Sequence, residues 1–146
     1  MPKISVKKLD ERAVLPTYGS QYAAGADLYA ICEGTTTFAP GETKLIHTGL
    51  AMEIPIGLVG LIYARSGLAS KKGLAPANKV GVIDSEYRGE IMVARHNHGN
   101  IPQTITDGER IAQIVFAPFY AANFNVVDEL ADTARCTGGF GSTGSK

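Results

Sequence analysis

Brief apolar runs separated by turn residues set the pattern of this chain. The runs cover 44–48, 50–54, 58–63, 80–83, 91–95 and 110–116. Each is shorter than a typical helix and rich in β-branched side chains, which favours strands. Turn chemistry stands between them at Pro40-Gly41, Pro55-Ile56-Gly57, Gly99-Asn100 and Asp107-Gly108. Many short strands with regular punctuation predict an all-β, jelly-roll-like barrel or sandwich. No internal repeat and no linker interrupts the pattern, so residues 1–146 are expected to form a single domain.

Two segments break the rule. Residues 66–73 open with Ser66, a side chain suited to capping a helix, and close with Gly73, suited to a left-handed stop. Good helix formers lie between, so one short helix is expected to begin at Ser66. Its first-turn N–H groups, with Arg65 beside them, would favour an anion. The other segment is the end, 136–146, with four glycines and Phe140 as its one large apolar side chain. Ordering such a stretch costs much entropy and buries little, which predicts a mobile lid that a ligand orders.

Composition narrows the function classes. Apolar residues make up 45% of the chain and charged residues 19%, a globular rather than disordered balance. Fourteen Lys and Arg balance fourteen Asp and Glu, which argues against a nucleic-acid or membrane binder but leaves room for a small anion held by local cations. Cys32 and Cys136 form no metal-ligand spacing, and a disulfide between them is unneeded. No apolar run suits a signal peptide or a membrane helix, so a soluble, cytoplasmic setting is expected.

The chemical motifs are few. Gly139-x-Gly141-x-x-Gly144 matches a dinucleotide fingerprint on paper, but no helix can follow it. Arg135, Ser142 and Thr143 do supply phosphate-compatible donors around it. His96 and His98 share a strand face without further ligands at recognisable spacing, so a surface or interface role is favoured over zinc. No phosphate-binding loop ending in Gly-Lys-Ser/Thr and no nucleophile elbow are present. The richest stretch is 78–93, where two strands, 80–83 and 90–93, flank Asp84-Ser85-Glu86-Tyr87-Arg88-Gly89 as a hairpin-like unit. Taken alone, Asp84 there is an ordinary turn former.

Five motifs in order nonetheless resemble those of the all-β homotrimeric dUTPase family. They are Ala24-Gly25-Ala26-Asp27-Leu28, Arg65-Ser66-Gly67-Leu68-Ala69, residues 78–90, Glu109-Arg110-Ile111-Ala112-Gln113, and residues 135–144. Ala26, Ala64, Glu86 and Cys136 depart from the family's usual residues, and none of the four removes a group the chemistry needs. The resemblance implies a jelly-roll-like homotrimer with shared sites that hydrolyses dUTP to dUMP and pyrophosphate. It implies Asp84 as the general base that activates water for attack on the α-phosphorus. Val82, Ile83, Met92 and Asn78 would read uracil, while Tyr87 would pack on the deoxyribose and exclude a 2′-hydroxyl. Arg65, Ser66, Gly67 and Gln113 would hold the phosphates. Mg²⁺ would ride on the triphosphate, with Asp27 touching it only through water. From the tail, Phe140 would stack on uracil, with Arg135, Gly141, Ser142 and Thr143 toward the phosphates.

A dCTP deaminase of the same fold is the nearest rival. A silent nucleotide-binding trimer is the rival from another class. The aspartate after Gly81-Val82-Ile83 and the Gly-Gly-Phe-Gly-Ser-Thr-Gly end favour the hydrolase over both.

Overall fold

Alternation along one strand shows how the core is made. In β9 (Glu90–Asn97), Ile91, Val93, Arg95 and Asn97 are buried, while Glu90, Met92, Ala94 and His96 are only half-buried on the other face. Period-two burial of this kind turns one face of a sheet inward. The computed structural model describes residues 2–134 and 136–139. In chain order the remaining elements are β1 (Ser5–Lys8), β2 (Thr17–Tyr18), β3 (Ala26–Tyr29), β4 (Thr35–Phe38), β5 (Thr43–Glu53), β6 (Leu58–Tyr63), α1 (Ser66–Lys72), β7 (Leu74–Pro76), β8 (Gly81–Ile83), β10 (Gln103–Thr106) and β11 (Arg110–Pro118).

The strands form a four-stranded sheet, β1-β5-β9-β7, a five-stranded sheet, β2-β3-β11-β6-β8, and a β10-β4 pair. Leu50, Leu74 and Ile91 from the first, Leu28, Ile111 and Ile114 from the second, and Phe38 and Ile105 from the pair are wholly buried in one cluster. Each such side chain contributes about 1.5–3 kcal/mol of burial, so the three sheets are held by a common core. The result is the all-β, jelly-roll-like sandwich expected from the sequence. Among the described residues, no helix is long and apolar enough to cross a membrane. Cys32 and Cys136 are free thiols.

Three local expectations need correction. The runs 44–48 and 50–54 are one strand, β5, whose pairing with β9 skips between His47 and Ala51. At that bulge Gly49 has φ +66, and a side chain there would come within 2.6 Å of Ile31 Cδ1. Glycine therefore marks a bulge rather than a turn. The Thr48 hydroxyl donates to the Ile91 carbonyl at 2.6 Å and the Gly49 N–H to Glu90 Oε1 at 2.8 Å, which ties the bulge to β9.

The second correction concerns the hairpin-like unit. Strand β8 pairs with β6, whereas β9 pairs with β5 and β7. Residues 84–89 are thus a crossover between two sheets. Periodicity reports which face is buried, not which partner is chosen. The third is the helix cap. Arg65, with extended backbone (ψ 131), is the N-cap, and Ser66 is the first helical residue. Arg65 donates its side chain elsewhere, so no side chain caps the first turn. Gly73 does provide the left-handed stop, with φ 65.

Candidate active site

The crossover shapes the first cavity. Val82, Ile83, Asp84, Tyr87 and Met92 line it together with Leu45 and Glu90, around a volume of about 270 Å³. A turn closes the crossover, with the Tyr87 N–H donating to the Asp84 carbonyl at 3.1 Å. The Tyr87 hydroxyl donates to the Glu90 carbonyl at 2.8 Å. Its ring lies over Gly89, where a Cβ would stand 2.5 Å from the phenolic oxygen. Glycine at 89 is what allows tyrosine at 87 to fold back. The Asp84 side chain is exposed and makes no hydrogen bond or ion pair among the described residues. It is a free acceptor at the rim of an apolar hollow.

Glu90 anchors this corner from behind. Its carboxylate meets His47 Nδ1 at 2.9 Å and accepts the Gly49 N–H. Burial works to raise its pKa, but the bonds from His47 and Gly49 outweigh it and hold the carboxyl below its ordinary value.

A different logic builds the second cavity, of about 250 Å³, lined by Gly19, Ala23, Gly25, Asp27, Arg65, Ser66, Gly67 and Gln113. Asp27 is buried and holds two arginines. Arg65 Nε donates to Oδ1 at 2.8 Å, and Arg110 Nη1 to Oδ2 at 3.2 Å. Gln113 Nε2 donates to the Ala64 carbonyl at 2.9 Å and so fixes the approach to α1. A Cβ on Gly25 would overlap Gln113 Oε1, so a side chain at 25 would push the Gln113 amide aside. Within α1 the first bond runs from the Ala69 N–H to the Arg65 carbonyl at 3.0 Å. By helix geometry the preceding N–H groups have no intrahelical acceptor.

A bulge turns Arg110 and Gln113 toward this side. In β11, Arg110 faces Tyr29 and Ala112 faces Leu28, so the ladder with β3 passes over Ile111. Ile111 and Ala112 are both buried, and Arg110 and Gln113 both turn outward. A regular strand would point positions 110 and 113 to opposite faces.

The two cavities share no lining residue. Met92 and Leu45 lie on the outer face of the four-stranded sheet, because Val93 and Ile46 face the core. Gln113 and Asp27 lie on the outer face of the five-stranded sheet, because Ile114 and Leu28 face the core. Packed sheets stand about 10 Å apart, so the sandwich separates the two faces.

The structure therefore gathers Val82, Ile83, Asp84, Tyr87 and Met92 at one corner, and Asp27, Arg65, Ser66, Gly67 and Gln113 at the other. Asn78 lines neither. It sits exposed on a turn beside Gly81, next to Lys79 with φ 65. Arg135, Phe140, Gly141, Ser142 and Thr143 lie outside the described residues. Sequence reasoning gave no role to Gly25, Leu45, Glu90 or Arg110. The fixed spacing of Arg110 and Gln113 was visible, but the bulge that joins them was not.

A third cavity, of about 410 Å³, runs past Leu9, Arg12, Glu33, Lys44 and His47. Its basic side chains are engaged locally: Arg12 with Asp10 and Glu33, Lys44 with Glu42, and His47 with Glu90. Among the described residues, no three His, Cys, Asp or Glu side chains form a metal-binding group.

A family model described as dUTPase matches residues 11–144. The deoxyuridine 5′-triphosphate nucleotidohydrolase of Desulfitobacterium hafniense (strain DSM 10664 / DCB-2) is 52% identical over 143 residues, covering 97% of this chain and 95% of its own. Its namesake in Haemophilus influenzae (strain PittEE) is 46% identical over 151 residues, covering 100% of both. Among solved structures, the Staphylococcus bacteriophage 80alpha dUTPase with dUPNHPP superposes with a TM-score of 0.90 at 28% identity, covering 99% of each chain. A mutant dUTPase from phage phi11 of S. aureus, described as revealing the coordination of a structural Mg(II) ion, gives 0.78 at 27% identity over 88% of this chain and 98% of its own.

Proposed function

The chain belongs to the dUTPase family, and from that premise we propose that it hydrolyses dUTP to dUMP and pyrophosphate with Asp84 as the general base. The observation that carries this reading is the unpartnered Asp84 carboxylate at the rim of the cavity formed by Val82, Ile83, Tyr87 and Met92. Asp84 takes a proton from water, whose oxygen attacks the α-phosphorus in line. The bond to the β-phosphate oxygen breaks, and its electron pair leaves with pyrophosphate. A base held within reach of one water supplies positioning and proton removal, which is most of what phosphoryl transfer asks of a protein.

Uracil falls to β8, an edge strand that among the described residues pairs only with β6 and keeps its other backbone edge available for the base. Val82, Ile83 and Met92 wall that edge, and the Asn78 amide completes the reading from its turn. Tyr87 packs on the sugar and leaves no space for a 2′-hydroxyl. Ser66, Gly67, Arg65 and Gln113 receive the phosphates. Asp27 uses one oxygen for each arginine, and a carboxylate has further lone pairs, so it still fits the water shell of a Mg²⁺ ion carried by the triphosphate. That ion would neutralise phosphate charge when bound.

The same reading makes the active unit a homotrimer with shared sites. What supports it is that one chain presents the two halves as cavities with no lining residue in common. One protomer's crossover can meet the ion-pair corner of the next. Such unlike-face contacts form a ring where the rotation from one protomer to the next closes. The segment after β11 supports it too, since Tyr120, Phe124 and Val126 are at least 93% exposed and ask for cover from another chain. We assign 1–146 to one dUTPase-like domain with 136–146 as its lid, where Phe140 meets uracil and Arg135, Gly141, Ser142 and Thr143 meet phosphate. A cytoplasmic setting suits such a substrate. No nucleic acid or membrane partner is invoked.

Pyrophosphate release with dUTP, dTTP, UTP and dCTP, with and without Mg²⁺, tests the proposal. Turnover confined to dUTP is expected. Ammonia from dCTP would instead point to the deaminase, and binding without pyrophosphate release to a silent nucleotide binder.

A further inference from the structure

Arg95 has no part in the chemistry above, yet it is fully buried. It points from β9 into the core between the two large sheets. Nη1 donates to the Ile111 carbonyl at 2.6 Å and Nη2 to the Leu74 carbonyl at 2.7 Å. Nε has no acceptor among the described residues. Burial lowers its pKa to about 10, with Glu109 pulling weakly the other way. A buried cation on neutral carbonyls is a costly way to fill a core, and an apolar side chain of similar size would do it better. The question is what those two carbonyls need.

Both belong to irregular points in the backbone. Ile111 is the residue that the β3–β11 ladder passes over, so its carbonyl sits where regular pairing fails. Leu74 follows Gly73, the left-handed stop of α1. The Ile111 bulge is what turns Arg110 and Gln113 to one face. The other end of α1 carries Ser66 and Gly67.

We infer that Arg95 is a positioning residue for the phosphate half of the site: one guanidinium locks the β11 bulge to the exit of α1 and so keeps Gln113 in register with Ser66 and Gly67. Gln113 closes the loop by donating to the Ala64 carbonyl at the entrance of the same helix. The crossover corner shares no hydrogen bond with Arg95 among the described residues. The inference rests on the proposed dUTP site, and it makes a separable claim about one half of it.

The test compares two ligands in the full-length protein by calorimetry: dUPNHPP, which fills both halves, and dUMP, which lacks the two outer phosphates. Arg95→Met fills the space without donors, and Arg95→Lys keeps the charge but reaches one carbonyl at most. In Arg95→Met, dUPNHPP affinity is expected to fall about tenfold while dUMP affinity changes less than about twofold, because sub-ångström misplacement of phosphate donors is enough to cost that much. Arg95→Lys should fall between Arg95→Met and the wild type. Equal weakening of both ligands, or unchanged binding of both, would overturn the inference, whatever the melting temperature. If Arg95→Met does not fold, the same ratio in Arg95→Lys decides. If neither folds, Arg95 serves only the core and the inference falls. Wild-type protein that binds neither ligand would instead sink the site assignment, before any variant is made.

Discussion

The crossover corner and the ion-pair corner are assembled in opposite ways. Most of the first lies between Val82 and Met92 in sequence, and the bonds that shape its turn are short-range, Tyr87 to Glu90 and Arg88 to Ser85, with Glu90 alone tied farther off to His47 and Gly49. The second joins residues far apart, with Arg65 reaching Asp27 and Arg110 reaching the same carboxylate across most of the chain. The first therefore depends on local turn geometry. The second depends on the whole sandwich being correctly registered. A change at the crossover should alter recognition of base and sugar, whereas a change at the ion pairs should alter grip on phosphate.

Four substitutions break or sharpen that contrast. The largest effect is expected from Asp84→Asn, which keeps shape and removes the base. Pyrophosphate release should drop about a thousandfold while dUPNHPP still binds. Undiminished turnover would take Asp84 out of the mechanism. Next comes Gly25→Ala. The new methyl group displaces a side-chain end, so the melting temperature should move little. Pushing Gln113 off the Ala64 carbonyl should cut kcat/KM by about thirtyfold, mostly through the phosphates. The idea fails if dUMP binding suffers as much as dUPNHPP binding.

Gly89→Ala is the matching test at the crossover. The methyl group forces Tyr87 out of its place and off the Glu90 carbonyl. We expect discrimination between dUTP and UTP to shrink about fivefold, measured as the ratio of their kcat/KM values. An unchanged ratio would separate Tyr87 from sugar selection.

The smallest effect concerns acid stability. Glu90 titrates below its ordinary value of 4.5 in the folded chain. Its contribution is therefore fully present above the unfolded value and disappears as pH falls through the folded one. Glu90→Gln should flatten this acid limb, seen in melting temperatures between roughly pH 3 and 6. An identical limb in the variant would assign it to other carboxylates.

How much of this was legible in the sequence follows from where each signal resides. Strand β6 appears with the boundaries its apolar run suggests, because a hydrophobic stretch between Pro-Ile-Gly and a helix start leaves few alternatives. The helix and its Gly73 stop were readable for the same local reason. Strands β4 and β10, rich in threonine with single buried anchors in Phe38 and Ile105, carry too little apolar signal to announce themselves. The site residues could be named through the family's motifs. Their division between two separate cavities could not, because it depends on β8 and β9 joining different sheets. Nor could the partnership of Arg110 with Asp27, which exists only because β11 slips by one residue at Ile111.

The separation of the two corners has a genetic consequence. On the shared-site reading, a chain ruined at Asp84 still offers a sound phosphate face, and a chain ruined at Gly25 still offers a sound base. Coexpressed, the two defective forms could rebuild intact sites at some junctions of a mixed ring. Two inactive alleles would then complement one another in one cell, and neither alone would.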